Sequence, residues 1–383
     1  MNFWYILYII DGVLFIGVAL TTLYLLVFSV GSLFFQQRDI SKAKRQNRFI
    51  ILIPSYRQDS VIRQCVISAL GQTYPQRMFD IVVISDHQSE MTNMKLAQYP
   101  ITLLTPNFKK STKAKSLQYA IMNLPEFKIY DAVVILDADN LVEPEFLEQV
   151  NDAFDGAGTK AITTHRLPKN RDTTTARLDS IFEEINTSIF RRAHITFGLS
   201  SAMSGSGVIF EFEWFKNNIM KVRTAEEDKE LEALLMRQRI FIDYFDDIHV
   251  YDEKKRQTGE ISRQRRRWAL VQYKSLLRNI YNLPLAIINH HYDYADKILQ
   301  WLLIPRMAIV GIILVMSLTL PFIYFSLAIK WWIAGLLLGF SFSFATPDHL
   351  VDEHWDNDFM SLPTRLVFSA IKRIIARFKK NPS

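Results

Sequence analysis

The sequence predicts an α/β domain, built on a mostly parallel sheet with helices on both faces and flanked by transmembrane helices. Three observations predict it. Short β-branched runs alternate with helical patterns through the first half of the chain. Long uncharged apolar runs stand at both ends. Between them, residues 48–294 have an ordinary globular composition without repeats or low-complexity tracts.

The N-terminal run, "GVLFIGVALTTLYLLVFSVGSLFFQQ" (12–37), is uncharged over about 25 residues, long enough to cross a bilayer at 1.5 Å per residue. Asp11 precedes it, and Arg38, Lys42, Lys44, Arg45 and Arg48 follow it. A cleaved signal would carry its basic residues first, so the run reads as a retained anchor. The charge bias places the following domain on the cytoplasmic side. Two further runs, Met307 to Ile329 and Trp331 to Pro347, are uncharged, and Lys330 with Trp331-Trp332 suits a turn between them. The tail "LPTRLVFSAIKRIIARFKK" (362–380) alternates apolar and basic residues at helical spacing, as a helix lying on an anionic leaflet does. The division expected is an anchor over 1–37, a cytoplasmic catalytic domain over 38–295, two spans over 296–347 and a basic tail over 348–383. The protein is expected in a cell membrane as a multi-pass chain, in a bacterial inner membrane.

In the middle, "RFIILIPSY" (48–56), "DIVVISD" (80–86) and "DAVVILDAD" (131–139) read as buried strands, and "PITLLTP" (100–106) as a shorter one. "SVIRQCVISALGQ" (60–72) and "KAKSLQYAIMNL" (113–124) carry apolar residues at helical spacing. In such sheets, ligands bind beyond the carboxyl ends of the strands. Those ends carry Ser55-Tyr56-Arg57, Ser85-Asp86-His87 and Asp137-Ala138-Asp139. Carboxylates also cap helices, and Asp86 alone fits that role equally well. For Asp137 and Asp139 capping is the weaker reading, because the next helix opens at "EPEF" (143–146). Two carboxylates one residue apart at a strand end suit Mg²⁺ or Mn²⁺ together with a sugar or phosphate ligand.

Other chemistries lose support. No phosphate-cradling G-x-x-x-x-G-K-[ST] loop, no dinucleotide fingerprint after a strand and no zinc-spaced His/Cys set occurs. A single cysteine, Cys65, excludes an intrachain disulfide. The net charge of +6 is spread along membrane-flanking segments, which speaks against a nucleic-acid partner. Gly205-Ser206-Gly207 reads as a place where backbone approaches a ligand or another strand. "TAEEDKELEALLMRQ" (224–238) reads as a helix with Leu231, Leu234 and Leu235 on its buried face. Its acidic start serves either the helix dipole or catalysis by a general base. "SRQRRRWALVQY" (262–273) sets four arginines beside a tryptophan, and by itself fits a nucleic-acid patch, a membrane anchor or an active site.

In order, Asp86, Asp137-x-Asp139, Glu227-Asp228 and Gln264-x-x-Arg267-Trp268 resemble the D, DxD, ED, QxxRW series of membrane-embedded family-2 glycosyltransferases. The cellulose, chitin and hyaluronan synthases belong to that group. "IPSYRQD" and "VYDE" (250–253) are similar to the family's pattern as well. The resemblance implies a GT-A fold, a nucleotide-diphosphate sugar donor, taken as a UDP-sugar, and Mg²⁺ or Mn²⁺ as cofactor. It implies nucleoside contact at Asp86 with Ser55 nearby, ribose or diphosphate contact at Asp137, and metal at Asp139. Asp228 would deprotonate the acceptor for inverting attack. Lys113, Gln264 and Arg267 would hold the diphosphate, and Trp268 would shape the acceptor site. Arg263, Arg265 and Arg266 have no such counterpart and read as surface or lipid-headgroup residues. Around Lys113 the chain departs from the pattern, with Lys115 in place of a glycine and Gln118 in place of an asparagine.

The expected reaction is extension of a polysaccharide. The alternatives are a single transfer to a polyprenyl phosphate or ceramide-like lipid, and a non-catalytic membrane subunit. Membrane lipids, and an export partner or a second copy of the chain, complete the expected partners.

Overall fold

The computed structural model describes residues 3–347 and Leu350, apart from Glu126, Ala225 and residues 255–257; for residues 3, 4, 6 and 258–268 it describes the backbone alone. The sequence-predicted tail helix (362–380) therefore lies outside the described residues.

Eight strands form one mixed sheet: β1 (Phe49–Tyr56), β2 (Phe79–Asp86), β3 (Thr102–Leu104), β4 (Ala132–Ile135), β5 (Leu141–Val142), β6 (Ala161–Pro168), β7 (Val208–Glu211) and β8 (Ile242–Asp252). Their order is β3-β2-β1-β4-β7-β6-β8-β5. The half β3-β2-β1-β4 is parallel throughout. Beyond it β7 runs antiparallel to both β4 and β6, β8 is parallel to β6, and β5 is antiparallel to β8.

Alternation of side chains along β1 builds a core on each face. Ile50 and Leu52 join Leu117, Phe215, Leu231 and Leu235. These come from α4 (Lys113–Met122), α8 (Phe212–Ile219) and α9 (Glu227–Arg237). Phe49, Ile51 and Ile53 join Val66, Leu147 and Val150 on the other face. Those belong to α2 (Ile62–Leu70) and α5 (Phe146–Ala157). Each fully buried aliphatic side chain contributes about 1.5–3 kcal/mol. Both faces of β1 are thus covered, which is why it reads as an unbroken apolar run. Short α3 (Glu90–Leu96) follows β2, capped by Ser89, whose side chain accepts from the Thr92 N–H.

A third core joins the domain to the apolar helices. Here α1 (Phe3–Ser32) meets the π-helical turn Ser188–Arg192 and the single turn α7 (Ala193–Thr196), and Ile181 and Ile185 of α6 (Thr174–Thr187) join the same core. After α10 (Thr258–Asn279), α11 (Leu283–Ile288) and the amphipathic α12 (Tyr292–Leu302) lead into α13 (Arg306–Ile323) and α14 (Phe325–Ala345). Among the described residues, three helices are long and apolar enough to cross a membrane: Leu7–Ser32, Arg306–Ile323 and Phe325–Ala345.

The helix ends differ from the sequence expectation in two places. The break between the last two apolar helices falls at Tyr324, in extended conformation, and not at Lys330 to Trp332. Pro321, within the last turn of α13, removes a helical N–H there. Asp11 also lies inside α1, not ahead of it. Its buried carboxylate accepts from the Lys330 ammonium and from Trp331 Nε1 (2.9 Å). An acid and a base that satisfy one another can sit within apolar helices, so neither needs to mark a helix end.

Candidate active site

The parallel strands deliver their ends to one edge. Tyr56 and Asp86 are register partners at the ends of β1 and β2. β4 stops at Ile135, and Leu136 N–H still donates to the Leu52 carbonyl, so Asp137 and Asp139 emerge at the same edge.

Lys113 opens α4, whose cap is Thr112, with its side chain accepting from the Lys115 N–H. The Lys113 ammonium donates to Asp137 Oδ1 (2.5 Å) and to the Gly205 carbonyl (2.6 Å), and lies 3.5 Å from Glu227 Oε1. Burial disfavours the charged ammonium, but Asp137 and Glu227 outweigh it and hold Lys113 above the ordinary lysine range. Burial acts against ionised Asp137 too, yet Lys113 and Arg166 keep it below the usual carboxylate range. Glu227 is pushed up to about 7, by burial first and by Asp228 and Asp137, against the pull of Lys113. Asp228, one residue further along the helix, is half-buried and acts on Lys113 through its charge.

Asp139 is pushed up to about 6 by burial and by the negative charges of Asp137 and Asp252, with Arg166 opposing. Asp137 and Asp252 thus add to burial in disfavouring its ionised form. Asn140 fixes the loop by accepting the Asp137 N–H on its side-chain oxygen (2.9 Å). Behind it, Arg166 Nη2 donates to Asp252 Oδ2 (2.6 Å), and Lys254 lies 3.0 Å from Asp252 Oδ1.

Asp86 is buried, with Oδ1 held by His87 Nδ1 (2.5 Å), while Oδ2 has no hydrogen-bond partner among the described residues. Ser55 lies beside it at the end of β1 and accepts from the Gln88 side chain. His87 and Arg57 both adopt positive φ (57° and 52°), an uncommon conformation outside glycine that turns the chain sharply at both strand ends.

The structure thus gathers Lys113, Asp137, Asp139 and the start of α9 at one edge, with Ser55 one strand along on β1 and Asp86 two strands along on β2. Gln264, Arg267 and Trp268 belong to α10, and their side chains lie outside the described residues. In the Gly205–Gly207 loop the approach to another strand is found at Gly207. Gly205 offers its carbonyl to Lys113. Gly207 (φ +66) approaches β6, where an added Cβ would lie 2.5 Å from Thr164 Oγ1. In place of the expected asparagine, Gln118 donates to the Ile219 and Val222 carbonyls (both 2.9 Å), tying α4 to the end of α8. Sequence reasoning passed over Arg166 and Asp252 as site residues. The one available signal was "VYDE", which contains Asp252.

The model of glycosyltransferase like family 2 matches residues 46–270 of this chain. The chain belongs to that family. It is a glycosyltransferase with a GT-A-like domain and three helices apolar enough to cross a membrane. The mannosyltransferase PcManGT from Pyrobaculum calidifontis, solved with GDP-Man and Mn²⁺, is similar in structure. It superposes with a TM-score of 0.54 at 15% identity, over 86% of this chain and 96% of that one. TarS 1-349 of S. aureus gives a TM-score of 0.44 at 12% identity, over 78% of this chain and 89% of that one. TarS 1-349 with UDP-GlcNAc gives 0.40 at 15%, over 55% and 59%. At these identities the likeness concerns the fold. No curated protein sequence matches the chain.

Proposed function

We propose that this glycosyltransferase moves a hexose with inversion from a nucleotide-diphosphate sugar, a UDP-sugar, to an acceptor hydroxyl at the cytoplasmic face of the membrane. One observation carries the reading. The Lys113–Asp137–Glu227 cluster, a fixed cation among carboxylates, lies at the sheet edge beside the Asp139 carboxyl.

The unpartnered Asp86 Oδ2 supports nucleoside recognition, since a buried acceptor gains most from an N–H or O–H that a ligand brings. Asp137 faces the ribose or diphosphate, and Lys113 stands ready to turn from Asp137 to phosphate oxygen. Asp139 fits an oxygen-seeking Mg²⁺ or Mn²⁺. Among the described residues no group of three His, Cys, Asp or Glu could hold a metal, so most of its shell would come from donor phosphates and water. When bound, that cation supplies positive charge to the leaving diphosphate. Asp228, at the start of α9, takes the acceptor proton, and Glu227 keeps Lys113 in place beside it. Arg166 and Lys254 balance Asp252, so the charge near Asp139 stays fixed when the donor leaves. Gln264 and Arg267 serve the diphosphate and Trp268 the acceptor, in the manner of the QxxRW members.

For the acceptor, the motif order supports a growing polysaccharide in a cellulose-synthase-like setting. A specific observation favours a second reading, a single transfer to a polyprenyl-phosphate or ceramide-like lipid. α11 and α12 expose Leu285, Ile288, Leu299 and Leu302 beside the catalytic domain, a surface suited to acyl or prenyl chains. Membranes containing the protein, screened with labelled nucleotide sugars with and without Mg²⁺ or Mn²⁺, test both. Transfer that Asp228→Asn abolishes supports the base assignment; full transfer by that variant removes it. Long products favour the polysaccharide, and a one-sugar glycolipid favours the lipid.

A further inference from the structure

We propose that a cleft between the C-terminal end of α9 and the α11–α12 hairpin binds the phosphate headgroup of an anionic phospholipid. The proposal rests on the membrane reading of the chain and goes beyond it, from attraction to a leaflet to one built site.

The cleft has a volume of about 260 Å³, and its polar lining is Arg237, Arg239, Asn282, Asn289, His291 and Tyr294. No carboxylate lines it. Among the described residues neither guanidinium pairs with an acid. Arg237 Nη2 donates to Asn279 Oδ1 (2.6 Å), and Arg239 Nη2 to the Asn289 carbonyl (3.3 Å). Tyr294 OH donates to the same Asn279 oxygen (2.9 Å) and accepts from Asn282 Nδ2 (3.1 Å). These neutral partners hold the two cations in place without neutralising them, and a guanidinium so placed is well suited to phosphate oxygen. His291 Nε2 is buried and has no hydrogen-bond partner among the described residues. Arg239 and His290 both take positive φ (56° and 51°), so the two turns that shape the cleft hold strained backbone.

The rim decides between a free anion and a lipid. Leu285 (59% exposed) lines the cleft, and Tyr281 (86%), Ile288 (72%) and Tyr292 (58%), each next in sequence to a lining residue, are exposed as well. In water this apolar surface would be unfavourable, whereas at a bilayer interface it meets acyl chains, and tyrosines are favoured at that depth. The hairpin is held near the membrane by connection, because α13 begins at Arg306 directly after α12 ends at Leu302. The cleft is also separate from the sugar-transfer site. Glu227 and Arg237 occupy opposite ends of α9, about 15 Å apart at 1.5 Å per residue.

The test uses the full chain, extracted in neutral detergent, stripped of lipid and offered phosphatidylglycerol, phosphatidylcholine or inorganic phosphate in native mass spectrometry. The expected result is one retained phosphatidylglycerol, with little phosphatidylcholine and no competition from equimolar phosphate. Arg237→Gln/Arg239→Gln should weaken retention about 30-fold, at roughly fivefold per cation. Arg237→Lys/Arg239→Lys should restore part of it, which separates charge from misfolding. Lys379→Gln/Lys380→Gln, in the basic tail, should leave the retained lipid in place. Wild-type retention by the double Gln variant, loss only in the tail variant, or equal competition by phosphate would each overturn the site. A chain that fails to float with any vesicle would overturn the membrane reading and the site with it; a chain that floats but shows no lipid preference overturns the site alone.

Discussion

Replacing Lys113 with methionine removes the cation that three groups share while keeping the length of the side chain. Lys113 Nζ holds Asp137 at 2.5 Å and the Gly205 carbonyl at 2.6 Å, and faces Glu227 at 3.5 Å. Without it, Asp137 keeps only the charge of Arg166, and Glu227 loses the one neighbour that lowers its pKa. Two buried carboxylates would then face a diphosphate with no ammonium between them. Removing one preorganised electrostatic partner of a developing charge costs on the order of 10²–10³-fold in turnover, about 3–4 kcal/mol. The assay is release of nucleoside diphosphate against donor concentration at fixed Mg²⁺, with the thermal midpoint measured on the same sample. We expect Lys113→Met to fall by at least 10²-fold in kcat/KM and Lys113→Arg to recover little, since a planar guanidinium must also fit against the Gly205 carbonyl. Turnover within about threefold of the wild type, well below that expectation, in a protein of normal midpoint would refute the role.

Three further outcomes follow from the same charges. Glu227 is raised from 4.5 to about 7, so its folded form holds a proton that the unfolded chain has lost. The associated stability is present below about pH 4.5 and falls as pH rises through 7; Glu227→Gln should therefore gain about 3 kcal/mol on the wild type between pH 5 and 8 in chemical denaturation. Glu232 is lowered to about 2, with burial outweighed by Lys229, Lys297 and the Met203 N–H, and its contribution holds above about pH 4.5 and fades as pH falls toward 2. Glu232→Gln should cost about 3–5 kcal/mol at neutral pH, a drop of roughly 10 °C in thermal midpoint, and approach the wild type in acid. Asp139→Asn should raise the Mn²⁺ concentration needed for half-maximal transfer by tenfold or more, in the range for lost metal-site groups, and an unchanged metal titration would remove Asp139 from the cation site.

The parallel half of the sheet was legible because its strands are buried on both faces. β1, β2 and β4 appear as apolar runs, and their polar ends appear by contrast. The second half was not, because β6 buries polar side chains. Thr163 pairs with Ser204 (2.9 Å), Thr164 donates to the Gly207 carbonyl (2.9 Å), and His165 meets Glu184 (2.6 Å). A strand that satisfies its polar groups through partners 19 to 43 residues away has no period that a local reading can detect. The expectation of a mostly parallel sheet accordingly holds for β3-β2-β1-β4 and gives way to mixed pairing beyond. The same reason hides Arg166 and Glu232, charged residues whose burial depends on distant partners. The start of α9 was legible as a cluster of acids. Within it, Glu227 lies 3.5 Å from Lys113 Nζ while Asp228 remains half-buried.

Glu232 also shows how α9 is tied to α12 and α1. Glu232 sits on α9, fully buried, and accepts from Lys297 of α12 (3.0 Å) and from the Met203 N–H (2.8 Å). Lys297 passes to Gln300 (2.7 Å), whose amide donates to Asp296 (2.7 Å). Asp296 accepts from Tyr24 OH of α1 (2.8 Å) and meets His194 (3.0 Å). Each of these groups would be costly if left unpaired in a low-dielectric interior, so removing one member strands the next. The chain of contacts therefore fixes α9 relative to α1 and α12 more tightly than apolar packing alone, which tolerates sliding. Because Glu227 and Asp228 lie on the first turn of that helix, one to two turns from Glu232, the position of the candidate site is set in part by α12 and by α1, a helix apolar enough to cross a membrane.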